Sequence, residues 1–143
     1  MSLHGTYDDQ NIFAKVLRGD APAVKVFEDD QVLAIMDVFP QSEGHVLIIP
    51  KARARNLLDL PAEAASAAME RVQRLARAVE AALKPDGVMV AQFSGAPAGQ
   101  TVFHVHFHVI PRWADRAIAG HGQAGMADMK ALEALAERIK AAL

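Results

Sequence analysis

Apolar and polar positions change rhythm several times along this chain, and each rhythm predicts an element. In the stretch 101–111, Phe103, Val105, Phe107 and Val109 alternate with His104, His106 and His108. A period of two marks an extended strand with one apolar and one polar face. The prediction is a strand over 101–111, all three imidazoles on one face and the apolar side chains anchoring the other. Val24 to Glu28 and Val32 to Met36 are two shorter strand-like runs. Polar Asp29, Asp30 and Gln31 separate them, so a β-hairpin is predicted there. His45 to Pro50 and Val88 to Phe93 supply two more strands.

Elsewhere the period lengthens. Ile12, Phe13, Val16 and Leu17 share a helical face behind Asp8 and Asp9, and Gly19 stops that helix. Asp59 and Pro61 begin a long helix whose Ala65, Met69, Val72, Leu75, Val79 and Leu83 follow three- and four-residue steps. Lys84 to Gly87 ends it. Val38 to Gly44 reads as a loop, Ser94 to Gln100 as a small-residue loop, and Gly120 to Gly125 as a glycine-rich segment. A last helix is expected from Asp128 to Leu143, with Leu132, Leu135, Ile139 and Leu143 as its stripe. The fold expected is α+β: about five antiparallel strands, a short N-terminal helix, a long central helix and an extra C-terminal helix. A single domain over 1–143 is expected, with its core at about 10–113 and an extension over 114–143.

Composition narrows the function classes. Fifteen Lys and Arg against seventeen Asp and Glu give a net charge of −2, without the basic excess of a nucleic-acid binder. The chain has no cysteine, which excludes disulfides, thiolate zinc sites and cysteine nucleophiles. Runs such as Val32 to Met36 are too short to cross a bilayer, and no secretory leader pattern opens the chain. A cytoplasmic protein with no membrane or nucleic-acid partner is expected. Met1 to Leu3 and His4 carry no weight in this reading.

The histidines carry the chemistry. Histidine is neither a common core residue nor a preferred strand residue, so three on one strand face call for a chemical reason. Imidazole can be nucleophile, base, acid or metal ligand at neutral pH. The loop Ser94 to Gln100 leads straight into this strand. Gly95 and Gly99 permit close backbone approach, and the loop N–H groups are expected to form an anion-binding concavity. Gln100 and Thr101 add neutral donors. Neutral donors beside imidazoles suit a phosphate ester better than a bare carboxylate, which would favour an arginine clamp. Zinc is the rival reading, with His45 or His108 completing a three-histidine site. No Asp or Glu neighbours the triad in the sequence, so no metal is expected to be required there.

The run from His104 to Ile110 resembles the histidine triad pattern, in which three histidines alternate with apolar residues. The likeness extends to Ile12 to Val16, Phe27 to Asp30, Gly44 to Lys51 and Ala98 to Val102, which look like motifs of the family's Hint branch. Members are nucleotide hydrolases and transferases acting at an α-phosphate. The resemblance implies that His106 attacks phosphorus to form a nucleotidyl-imidazole, with a backbone carbonyl near His104 holding the other ring nitrogen protonated. It implies that His108 contacts the phosphate and that His104 and His45 support the network. Gln100 and Thr101 match phosphate or leaving-group contacts, and Asp37 matches the ribose-binding acid. Phe13, Val16, Phe27 and Val38 match the apolar base pocket, with Ser94 and Gly99 beside the phosphate. One departure stands out: Phe93 and Ser94 occupy positions where relatives carry Asn or Gln. The expected substrate is a purine nucleotide conjugate, such as a phosphoramidate or acyl adenylate, with a dinucleoside polyphosphate as the alternative. No cofactor is expected to be required at the triad, and substrate phosphates are the place where a divalent metal could bind. A nucleotide-binding regulatory module is the alternative from another class. Homodimerisation is expected through Val88 to Phe93 and the helix from Ala62 to Leu83.

Overall fold

The computed structural model describes residues 2–118, 120 and 125–143. Its elements run α1 (Ile12–Leu17), β1 (Lys25–Glu28), β2 (Val32–Met36), β3 (Val46–Pro50), α2 (Ala62–Leu83), β4 (Gly87–Ala91), β5 (Phe107–Arg112) and α3 (Met129–Lys140). The five strands form one sheet in the order β1-β2-β3-β5-β4. Every neighbouring pair is antiparallel. The α+β reading and the hairpin are both borne out.

β2 and β3 are buried along their whole length, because the sheet is covered on both sides. Val32, Ala34 and Met36 face one core, and Leu33 and Ile35 face the other. This is the two-residue period at work on a strand with two apolar faces. On the first face, α2 contributes Val72, Leu75 and Val79, and α3 contributes Leu132, Leu135 and Ile139. Burying a side chain of that size stabilises the fold by about 1.5–3 kcal/mol. On the second face, α1 lays Phe13 and Val16 over Leu33, Ile35, Leu47 and Ile49. A six-residue helix cannot cover the whole face, and the uncovered part becomes a cleft.

Several boundaries differ from expectation. The Asn11 side chain, not Asp8 or Asp9, caps α1 by accepting from Ala14 N–H, an interaction worth about 1 kcal/mol. Asp59 does not cap α2; its carboxylate accepts from the N–H groups of Arg55 and Asn56. Met69 is half exposed, and Ala68 and Ala78 occupy the buried stripe of α2 with Val72, Leu75 and Val79. α3 ends at Lys140, so Leu143 lies beyond it and is exposed. β4 stops at Ala91, before Phe93. Residues 121–124 of the glycine-rich segment lie outside the described residues. Gly44, at φ +88°, turns the chain into β3 beneath Leu83 and Pro111, where a Cβ would collide with Leu83.

The main correction concerns the histidine segment. Only Phe107–Arg112 joins the ladder. Ahead of it the chain bends, held by Val105 N–H to Ala54 O at 2.9 Å. Val105, Phe107 and Val109 enter the core as expected, but Phe103 stays half-buried under the Arg55 guanidinium. Because of the bend, the three imidazoles do not share one face.

Candidate active site

The uncovered part of the second face is a cleft of about 200 Å³. Phe13 and Val16 of α1, Ile35, Asp37, Val38, Thr101, His106 and His108 are among its lining residues. His106 and His108 lie side by side, ring centroids 5.1 Å apart. His104 lies elsewhere, bordering a separate surface cleft with Tyr7 and Arg53.

The partners of each ring fix where its proton sits. The backbone N–H of Gln41 donates to His45 Nδ1 at 3.1 Å, so neutral His45 carries its proton on Nε2. That Nε2–H lies 2.9 Å from His108 Nδ1, which must therefore accept. The His108 proton is thus on Nε2, a donor within the cleft. His106 Nδ1 donates to the backbone carbonyl of His104 at 2.7 Å, leaving the lone pair of the neutral ring on Nε2. The expected carbonyl is present, and it belongs to His104 itself. Phe13 packs T-shaped against the His106 ring at 4.8 Å. A lone pair and an N–H donor are thereby placed next to each other at one end of an apolar cleft.

His104 is fixed differently. Its Nε2–H donates to Pro50 O at 2.7 Å, and its Nδ1 lies 2.5 Å from the Tyr7 hydroxyl. Burial lowers its pKa below the ordinary 6.5, outweighing the raising effects of the Pro50 bond and the Asp59 charge.

Other predicted residues separate into those at the cleft and those away from it. Asp37 is buried at the cleft wall, Oδ1 accepting from Phe39 N–H at 2.8 Å. Its Oδ2 lies 3.5 Å from His45 Nε2. The expectation that no carboxylate neighbours the histidines is therefore wrong: the turn before β3 folds a distant Asp against them. Ligand atoms of Asp37, His45 and His108 lie within 4.8 Å of one another. The donor types suit zinc, and a metal would have to displace the His45–His108 hydrogen bond.

Phe27 lies on the opposite side of the sheet, against the first core and under the Arg74 guanidinium. The Gln100 amide is taken up by backbone groups, accepting from Gly95 N–H of its own loop and donating to Arg55 O and Val102 O outside it. The loop contains a single 3-10 turn over Ala96–Ala98. The N–H groups of Gly95, Ala98, Gly99 and Gln100 are all bonded within it. These four N–H groups are turned into the loop and are not presented to a ligand; the small residues allow the loop to close on itself. Ser94 Oγ donates to Gln92 Oε1 at 3.0 Å, and Gly99 is backed by the Phe93 ring. Phe93 also packs on His108, ring centroids 5.2 Å apart.

Sequence reasoning missed Tyr7, Gln41 and Arg55. Gln41 acts through its backbone N–H and Arg55 through guanidinium bonds to backbone carbonyls far away in the sequence, neither of which a local side-chain pattern reports. Tyr7, the only tyrosine in the chain, lies ninety-seven positions from its partner His104.

An antiparallel α+β domain with paired histidines at the end of an apolar cleft defines a small class of folds. The chain belongs to the HIT family: the HIT domain model matches residues 18–115. It is 41% identical over 112 residues to adenosine 5'-monophosphoramidase HNT1 of Saccharomyces cerevisiae, covering 78% of this chain and 68% of that one. It is 36% identical over 122 residues to adenylylsulfatase HINT3 of Arabidopsis thaliana, covering 81% of this chain and 62% of the relative. Among solved structures, a Hit-like protein from Bartonella henselae matches with a TM-score of 0.90 and 44% identity, over 96% of this chain and 100% of that one. Among the described residues no helix is long and apolar enough to cross a membrane.

Proposed function

We propose that this chain is a nucleotide hydrolase that works through a covalent nucleotidyl-His106 intermediate and releases a nucleoside monophosphate. The observation that carries the reading is the His106 Nδ1 to His104 carbonyl bond, which places the nucleophilic lone pair on Nε2. Relatives named as a phosphoramidase and an adenylylsulfatase support attack at the α-phosphate of an adenylate-type conjugate.

In this reading the base enters between Phe13, Val16 and Val38, and Asp37 accepts hydrogen bonds from the ribose hydroxyls. His106 Nε2 donates its lone pair to phosphorus as the bond to the leaving group breaks. An amine leaving group departs with the bonding pair and takes up a proton from solvent. The imidazolium so formed keeps its Nδ1–H on the His104 carbonyl. His108 Nε2–H stabilises charge on a phosphoryl oxygen, a preorganised donor that needs no rearrangement. Water then attacks phosphorus, the P–N bond breaks, and the lone pair returns to Nε2 as water releases a proton. No step requires a metal on the histidines; a divalent ion, if it took part, would be held by the substrate phosphates.

The reading includes a homodimer. β4 is an edge strand with exposed Met89 and Val90, and Met69 is exposed on α2, a set of apolar positions that a second copy would cover. A panel of nucleoside phosphoramidates, acyl adenylates, adenylyl sulfate and dinucleoside polyphosphates, with product analysis, tests the substrate class. Turnover of the conjugates to the monophosphate is expected. Nucleotide binding with no turnover of any of them would point to a regulatory module.

A further inference from the structure

The N-terminal segment is tied down rather than loose. Arg55 donates from Nη1 to Thr6 O and from Nη2 to Ser2 O, both at 3.1 Å. The Asn56 side chain, fully buried, donates to Leu3 O at 2.8 Å. Leu3 also lies against Gly95 of the loop before the histidine segment. These bonds deliver Tyr7 to the His104 ring, where its hydroxyl reaches Nδ1 and its own ring makes a T-shaped contact at 5.6 Å. Arg53 closes the outer side, its guanidinium 4.8 Å from the Tyr7 centroid.

Pro50 O accepts from the Nε2–H of His104, so Nδ1 of the neutral ring is an acceptor. Within the protein its partner is the Tyr7 O–H. His104 is 1% exposed, so without the hydroxyl a buried acceptor is left unsatisfied. The same residue's backbone carbonyl is what orients the His106 ring. A ring held at both nitrogens pins the backbone at residue 104, and that backbone aims the nucleophile.

We propose that Tyr7 is a positioning residue: it completes the two-point grip on His104 and thereby sets the orientation of His106. Tyr7 lines the outer cleft, not the substrate cleft, so it acts through His104 alone. The inference rests on His106 being the nucleophile, as proposed above.

Tyr7→Phe tests it, since the variant keeps the ring and its packing and removes only the oxygen. Steady-state kinetics on a nucleoside phosphoramidate are read together with imidazole ¹H–¹⁵N NMR of His104 and His106. The expected result is a kcat lowered by about tenfold with KM within about twofold, as misorientation of a reacting group predicts. His106 Nδ1–H should exchange faster with solvent, and the His104 Nδ1 resonance should move toward that of an unbonded acceptor. A kcat within about twofold of wild type would overturn the proposal. If the wild type shows no turnover dependent on His106, the proposed function falls, and the spectra decide the role of Tyr7. Faster His106 exchange in Tyr7→Phe would then support it, and unchanged signals would overturn it.

Discussion

His45 Nε2 lies 2.9 Å from His108 Nδ1, and this contact between two buried rings decides which His108 nitrogen carries a proton. The Gln41 N–H on the far side of His45 prevents the opposite arrangement. His45→Asn should therefore affect chemistry more than binding. A kcat lower by about tenfold or more with a small change in KM is expected in steady-state assays. Because the site is buried, denaturant unfolding should also show a loss of about 1–3 kcal/mol. A change in KM alone would show that the His45–His108 contact does not act on the chemical step.

Asp37 is the one carboxylate among the described residues that line the cleft. Asp37→Ala should weaken ribonucleotides more than 2′,3′-dideoxynucleotides by about 1–3 kcal/mol, the worth of charge-assisted hydrogen bonds. Calorimetric titration of both ligand types measures it. Equal losses would show that Asp37 does not accept from the ribose.

His104 makes stability depend on pH with a definite sign. Burial depresses its folded-state pKa below the ordinary 6.5. Below that value the unfolded chain binds a proton that the folded chain refuses, so this contribution is full above pH 6.5 and lost as pH falls toward the folded pKa. Urea unfolding between pH 7.5 and 5.5 should show stability falling with acidification, and the slope should flatten in His104→Asn. An equal slope in both proteins would assign the effect to other groups.

Much of this was legible in the sequence. The continuous apolar run of Val32 to Met36 and the helical steps through Val72, Leu75 and Val79 reported real core elements, because burial is what such patterns encode. The pairing of His106 with His108 was legible for the same reason: they are two apart, and both line the cleft. His104 broke the pattern because Pro50 O and Ala54 O draw the chain out of the ladder. Asp37, seventy-one positions from His108 in the sequence, could not be read as its neighbour from local spacing. Gln100 looked like a ligand contact because residue type does not say which way an amide points.

The proposed dimer makes β4 and α2 an interface. Val90→Lys places a charge on the exposed face of an edge strand, 46% accessible in the single chain. Light scattering should give a dimer mass for the wild type and a monomer mass for the variant at micromolar concentration. A wild-type monomer would remove the dimer from the account.

The central claim is that His106 Nε2 forms a bond to phosphorus. Rapid acid-free quench of the wild type during turnover of a labelled adenylate conjugate, followed by peptide mapping, reads it directly. The account predicts a nucleotidyl adduct on His106 that survives base and is lost in acid, as a phosphorus–nitrogen bond should be. It also predicts that His106→Asn binds nucleotide within about tenfold of wild type, forms no adduct and loses several orders of magnitude in kcat. Wild-type turnover with no adduct, together with near-normal hydrolysis by His106→Asn, would contradict it.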